Sequence, residues 1–240
     1  MSVVDTQRTI LITGASSGIG LAVAKKFDEE NVQLILHSHS PIANEILSKF
    51  KNPVINIVFD VLDDEIIKLT FKKLQLSQTI DVLVNSAGIN IDKLFVQMSN
   101  NEFDKVLSTN FMGTSKVIEA ALPLFKTGSM IINIASVIGL SGNIGQTNYA
   151  ASKDATLALT KYLAEQYAKK GILVNAVSPG MIKTKMTDGM TEKMRNYAES
   201  IIPLKRFGTP EEVAELVNLL SKMTYVTGQN FIIDGGLYMT

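Results

Sequence analysis

The sequence predicts an α/β fold: one doubly wound sheet of about seven parallel strands with helices on both faces. Two patterns and a size argument predict it. Short apolar runs alternate with longer segments of helical period, the rhythm of parallel strands joined by crossover helices. A glycine-rich turn directly after the first run leads into a helical segment. The chain has 240 residues, 46% hydrophobic and 19% charged, enough to bury one large core and incompatible with disorder of the whole chain.

The apolar runs, in order, are residues 9–13, 33–36, 54–59, 82–85, 130–135, 173–177 and 230–233. After the first, Ile19, Val23 and Phe27 recur at i, i+4 and i+8, a helical stripe that faces a sheet. Between the fourth and fifth runs, residues 101–121 read as a long helix, with Asn110 an unfavourable residue in its middle. Residues 149–170 read as a second long helix before the sixth run. The stretch from Pro179 to about Thr209 has no strand and is broken by Gly180, Gly189, Pro203 and Gly208. An insertion of that length at a strand's C-terminal end predicts a substrate lid within 181–209. The next helix has a legible start, with Thr209 as N-cap, Pro210 at the first helical position and Glu212 closing a capping box. Val213, Leu216, Val217 and Leu220 then form its apolar stripe. There is no internal repeat, low-complexity tract or linker, so residues 1–240 read as one domain.

Charge and composition exclude several functions. Lys+Arg and Asp+Glu are 23 each, a formal net charge of +0, which gives no field for a polyphosphate duplex, so no nucleic-acid partner is expected. With no cysteine there is no disulfide framework, thiolate metal site or cysteine nucleophile, which suits a reducing compartment, and no metal site is expected. Residues 1–8 include Asp5 and hold no apolar leader core, and no run of 18 apolar residues occurs. A soluble, cytoplasmic protein without a membrane partner is the expectation. His37 and His39 are the only histidines, two residues apart, so a Ser-His-Asp hydrolase would need one of them as its base.

Four groups of residues can carry chemistry. Thr13 to Gly20 reads Thr-Gly-Ala-Ser-Ser-Gly-Ile-Gly: the glycines permit a tight turn, and the following helix start presents free N–H groups to a pyrophosphate. A plain packing turn is its alternative, and the three-residue gap between its first two glycines departs from the usual G-x-G-x-x-G spacing. Tyr149 and Lys153 stand four apart on one helix face, where an ammonium can stabilise a phenolate and lower its pKa; an ordinary exposed contact is the alternative. Ser136 directly follows the fifth run, at the strand end where open α/β sheets place ligands, although strand-end serines also serve as turn residues. Asn85-Ser86-Ala87-Gly88 ends the fourth run at the same crevice, and Asn110 has an amide that suggests a local task.

Taken together, these residues resemble the short-chain dehydrogenase/reductase family over essentially the whole chain. The resemblance rests on Thr-Gly-x-x-x-Gly-x-Gly from Thr13, Asn-x-Ala-Gly from Asn85, Asn110, Ser136, Tyr-x-x-x-Lys from Tyr149, and Pro179-Gly180 with Thr184 four residues on, all in the family's order. Within that family, 142–146, 206–213, 227–229 and 234–236 resemble the 3-oxoacyl-[acyl-carrier-protein] reductases of bacterial fatty-acid synthesis. The resemblance implies a Rossmann-type NAD(P)-binding reductase. Tyr149 would give a proton to a carbonyl oxygen held by Ser136, Lys153 would lower the Tyr149 pKa and bind the nicotinamide ribose, and Asn110 would hold a relaying water. Gly14, Ser16, Ser17, Gly18, Ile19 and Gly20 would cradle the pyrophosphate, Asp60 and Val61 would meet adenine, and Asn85, Ala87 and Gly88 would line the ribose side. Pro179 and Gly180 would lead to Ile182 and Thr184 at the nicotinamide amide. The resemblance also implies a homotetramer, with 101–121 and 149–170 pairing across one interface and 231–240 in another.

Cofactor choice turns on charge. The end of the second run reads Leu36-His37-Ser38-His39-Ser40 without a carboxylate, and an acidic residue there would repel a 2′-phosphate. Ser38 takes the acidic position and His39 a place where NADP enzymes often carry Arg, while Ser17 stands where many of these reductases carry another Arg. NADP(H) is therefore the expected cofactor, with both histidines in a solvated loop as the alternative. The expected substrate is a 3-oxoacyl thioester on acyl-carrier protein, docked by Lys169, Lys170, Lys183 and Lys185, with docking weakened because Lys126-Thr127-Gly128-Ser129 lacks a basic cluster. An acetoacetyl-CoA or other small-carbonyl reductase is the alternative, and a non-catalytic cofactor-binding scaffold is a third, opposed by the intact set of four catalytic residue types.

Overall fold

The computed structural model describes residues 7–75 and 77–239, so the first six residues, read as lacking an apolar leader, lie outside the described residues. Seven strands form one sheet: β1 (Arg8–Thr13), β2 (Val32–Ser38), β3 (Val54–Val58), β4 (Ile80–Asn85), β5 (Phe125–Ile134), β6 (Leu173–Pro179) and β7 (Asn230–Ile233). The helices are α1 (Gly18–Phe27), α2 (Asn44–Leu47), α3 (Asp64–Gln75), α4 (Asn100–Leu107), α5 (Gly113–Ala121), α6 (Ile138–Ser141), α7 (Thr147–Tyr167), α8 (Glu192–Ile201) and α9 (Pro210–Leu220). The strand order is β3-β2-β1-β4-β5-β6-β7 and every neighbouring pair is parallel. The chain therefore reverses its winding between β1 and β4, where Thr13 lies beside Asn85, and this opens a crevice at the strands' C-terminal ends.

The strands are apolar on both sides because both faces are covered. Ile10, Ile12, Leu34 and Val84 pack with Val23 and Phe27 of α1 and Val213 and Val217 of α9. Alternate residues Leu11, Ile35 and Leu83 point the other way, towards Ile67 and Phe71 of α3, Val117 of α5 and Leu163 of α7. Each such side chain contributes about 1.5–3 kcal/mol on leaving water, so the two cores together fix the sheet that carries the site. The capping box of α9 forms as the sequence predicts, Thr209 and Glu212 bonding reciprocally.

Two expectations need correction. Residues 101–121 are not one regular helix: α4 and α5 are joined by a wide π turn over Ser108–Met112, which contains Asn110. Strand β5 starts at Phe125 instead of Met130, and its pairing with β4 shifts register between Ile80 and Val82, where the Ser129 hydroxyl donates to the Ile80 carbonyl at 2.7 Å. The long strand-free segment carries its own secondary structure. It contains α8, and Ala198, Ile202 and Phe207 form a small core of their own with Met181, Met190 and Leu237.

Candidate active site

The crevice begins where β1 ends. Gly14 has φ +67, and a Cβ there would lie 2.8 Å from the Ala87 Cα, so only glycine lets the loop press against the end of β4. Thr13 Oγ1 accepts the Ser86 and Ala87 amides, both at 3.1 Å, locking the two strand ends together. Helix α1 then opens with Gly18 at φ +55, Ser17 makes no side-chain cap bond, and the first turn holds no acidic residue. The free N–H groups at this helix start, with Ser16 and Ser17 exposed beside them and Ile19 and Gly20 behind, form an anion cradle. A Cβ on Gly18 would approach the Thr184 Cγ2 at 3.6 Å, which brings the segment after Pro179 and Gly180 to the same mouth. Ile182 there is buried and Thr184 half-buried. These features fit a dinucleotide laid across the switch point.

At the other end of the loop, the His37 carbonyl accepts the Ala15 amide at 2.9 Å. Ser38 is buried and its hydroxyl donates to the Ser40 carbonyl at 2.6 Å. The His39 side chain is 77% exposed, with Nε2 3.7 Å from an Asp60 carboxylate oxygen. The solvated-loop alternative fails for His37: its ring is 1% exposed, stacked 3.9 Å from Phe59, with Nε2 3.0 Å from the Phe59 carbonyl oxygen. Burial pushes its pKa down to about 4. The Val61 side chain is buried against Gly113, so its adenine contact would fall to its backbone, whereas Asp60 is exposed.

The reactive cluster sits at the C-terminal end of β5. Ser136 follows that strand, is buried, and accepts the Ile138 amide at 3.2 Å. Tyr149 lies in the first turn of α7 and Lys153 one turn later, with its Nζ 5.5 Å from the centre of the Tyr149 ring. Gly88 borders the cluster: a Cβ there would lie 3.1 Å from Asn110 Oδ1 and 3.8 Å from the Lys153 ammonium. Desolvation pushes the Tyr149 phenol up to about 12, the Asp92 charge adds to the rise, and the Ser136 hydroxyl opposes it. Burial lowers Lys153 to about 8.

Two of the expected site residues have their polar groups engaged within the protein. The Lys153 ammonium donates to the Ile134 carbonyl at 2.7 Å, and with desolvation the dominant influence on its phenol Tyr149 is protonated at neutral pH. Asn110 is a clasp: Oδ1 accepts the Ile89 amide at 2.8 Å, and Nδ2 donates to the Ile89 carbonyl at 2.9 Å and to Ser152 Oγ at 3.1 Å. The basic residues expected at the mouth also divide. Lys183 and Lys185 are exposed close to Thr184, but Lys169 and Lys170 lie beyond the far end of α7, some 30 Å from Tyr149 at 1.5 Å per residue. Lys126 pairs with Asp81 at 2.7 Å.

Sequence reasoning passed over a buried polar row on α7. Asn148, Ser152, Thr156 and Thr160 recur every four residues and are all buried. Thr160 accepts from Asn133 on β5 at 2.9 Å, and Asn133 accepts from Asn85 on β4 at 2.9 Å. The i+4 spacing of polar residues on a helix that must bury a face was the available signal.

A family model described as Enoyl-(Acyl carrier protein) reductase matches residues 14–238. The chain belongs to the short-chain dehydrogenase/reductase family. Among relatives of known name, it is 43% identical over 240 residues to a 3-oxoacyl-[acyl-carrier-protein] reductase of Thermotoga maritima, covering 96% of this chain and 97% of the relative. It is 37% identical over 238 residues to the reductase of that name from Aquifex aeolicus, covering 95% and 96%. Of solved structures, a dehydrogenase/reductase from Sinorhizobium meliloti superposes with TM-score 0.90 at 31% identity, covering 97% of this chain and 95% of that one. A family member from Brucella melitensis, titled a glucose/ribitol dehydrogenase, superposes with TM-score 0.88 at 32% identity, covering 97% of each chain.

Proposed function

We propose that this protein is an NADPH-dependent oxidoreductase that reduces 3-oxoacyl thioesters to 3-hydroxyacyl thioesters in fatty-acid synthesis, residues 1–240 acting as one reductase domain. The observation that carries this reading is a protonated phenol, Tyr149, set beside the Ser136 hydroxyl at the strand end that faces the anion cradle. That pair suits a carbonyl oxygen: Ser136 holds it by hydrogen bond while Tyr149 gives it a proton. A bound nicotinamide dinucleotide supplies the hydride. The cradle of Gly14, Ser16, Ser17, Gly18, Ile19 and Gly20 holds the pyrophosphate, Asp60 and the Val61 backbone meet adenine, and Asn85, Ala87 and Gly88 line the ribose side. Lys153 would hold the ribose hydroxyls of the bound cofactor, and Ile182 and Thr184 would hold its carboxamide. The absence of a carboxylate at Ser38, with His39 beside it, favours a 2′-phosphate. The full-length relatives named 3-oxoacyl-[acyl-carrier-protein] reductases support this substrate class over the enoyl reduction in the family model's description.

Residues 181–209 act as the substrate lid in this reading, with Met194, Tyr197 and Ile201 exposed on α8. Exposed Met112 and Tyr162 support pairing of the α4–α5 and α7 faces in a homotetramer. A cytoplasmic site of action follows from the proposed pathway; among the described residues, no helix is long and apolar enough to cross a membrane. A CoA-linked reductase is the second reading, favoured by the position of Lys169 and Lys170 far from Tyr149 within the protomer. Loss of nicotinamide absorbance with acetoacetyl thioesters on CoA and on acyl-carrier protein tests both. Turnover with neither would refute the reductase, and turnover on CoA alone would select the second reading.

A further inference from the structure

We infer that Asn148 and Ser152 are positioning residues that grip the Tyr149 peptide from both sides and tie it to the crevice wall at Ile89 and Ile91. The inference rests on the reductase reading and adds what aims its proton donor. Tyr149 is the third residue of α7, so its N–H has no intrahelical partner, and the N-cap residue Gln146, whose side chain bonds Asp92 and Asn143, makes no side-chain cap bond to the helix. Asn148 Oδ1 accepts that N–H at 2.7 Å, and its Nδ2 donates to the Ile91 carbonyl at 3.1 Å. On the other side, Ser152 Oγ donates to the Tyr149 carbonyl at 2.8 Å and accepts Asn110 Nδ2 at 3.1 Å. Asn110 in turn holds both the amide and the carbonyl of Ile89.

Both gripping residues are 0% exposed, so neither can exchange its partner for water; removing Asn148 leaves the Tyr149 N–H unpaired, and removing Ser152 takes away the second partner of the Tyr149 carbonyl and its tie to Asn110. The phenol swings on two side-chain torsions from this peptide, so a displaced anchor displaces the hydroxyl. Misplacement by about 1 Å can cost on the order of 10²-fold in rate. The helix itself is held along its length by β5, β6 and the core around Leu163, so loosening one peptide changes aim before it changes folding.

A double-mutant cycle with Tyr149→Phe tests the inference, because residues that act only through the hydroxyl have nothing to act on once it is gone. Asn148→Ala and Ser152→Ala should each lower kcat for NADPH-dependent reduction of acetoacetyl-CoA about 10- to 100-fold, leave the Kd for NADPH within about two-fold, and cause no further loss in Tyr149→Phe. Ser152→Thr, which keeps the hydroxyl, should recover kcat to within several-fold. Losses that multiply in both backgrounds would overturn the inference. Backbone hydrogen exchange at Tyr149, read by NMR, needs no turnover. Asn148→Ala should speed it at least ten-fold while Asn148→Asp, which keeps the accepting oxygen, retains protection; unchanged protection in Asn148→Ala would overturn the clamp. If the unmodified protein reduces no acetoacetyl thioester, the reductase reading falls and the exchange result still decides the clamp.

Discussion

Acid should weaken this protein through one buried imidazole, His37. In the unfolded chain a histidine binds its proton near pH ~6.5, whereas His37 in its stack on Phe59 resists protonation until about 4, because burial disfavours the cation more than the Phe59 carbonyl and Asp60 favour it. Between those values the unfolded state binds the extra proton, so stability is fully present above about pH 6.5 and drains away as pH falls towards 4. The shift is about 2.5 units, at about 1.4 kcal/mol each; completed only to pH ~4.5, the loss is about 2.5 kcal/mol. His37→Leu removes the titrating group and leaves the Phe59 carbonyl without its partner, a cost that does not vary with pH. Urea unfolding at fixed protomer concentration, run from about pH 7.5 to 4.5, should show the original protein losing about 2.5 kcal/mol more than His37→Leu over that range. Carboxylates such as Glu30, held down to about 2, contribute the same slope to both and cancel. Equal slopes in the two proteins would show that the ring opens to solvent, and would refute the reasoning.

Lys153, lowered to about 8, should lose its charge as pH rises through that value, so kcat/KM for NADPH should fall about ten-fold per pH unit above about 8. Lys153→Arg, which stays charged, should lack that limb even if its overall rate is poor. Ser38→Asp should move cofactor preference towards NADH by at least ten-fold in the ratio of kcat/KM values, since its carboxylate would repel the 2′-phosphate; an unchanged ratio would place the phosphate elsewhere. Lys183→Glu with Lys185→Glu should raise KM for a carrier-bound substrate several-fold and leave KM for acetoacetyl-CoA nearly unchanged, while Lys170→Glu should change neither KM if docking stays within one protomer. Steady-state kinetics on both substrates separates these outcomes.

The strands were legible because both faces of the sheet are covered, so each central strand shows as a continuous apolar run. The early part of β5 was hidden for the opposite reason: Lys126, Thr127 and Gly128 are exposed and carry no apolar signal. Asn110 was visible as an oddity, but its task was not, because its amide is taken by Ile89, which lies far away in sequence. Tyr149 and Lys153 could be found from spacing and resemblance, whereas the high phenol pKa could not, because burial and the Ile134 carbonyl that takes the lysine are tertiary facts. The remoteness of Lys170 was in fact available from the sequence, since a helix starting near Tyr149 must carry its last residues to the opposite end of the sheet.

Apart from Ile182, which joins the core between α1 and α9, the segment between β6 and α9 packs in a cluster of its own. Ala198, Ile202 and Phe207 pack with Met181, Met190 and Leu237, and the Leu204 amide reaches the Gly235 carbonyl at 3.1 Å. So small an apolar cluster makes this stretch a separate opening unit, able to unfold and reclose at a fraction of the free energy that global unfolding requires. Its amides should exchange with solvent well before those of β1, β4 or β5. The same partition sets how such a chain can diverge. Residues there can be lengthened, shortened or replaced at the expense of one minor cluster, and the last residues after β7, through Leu237, are the part of the framework that must change with them.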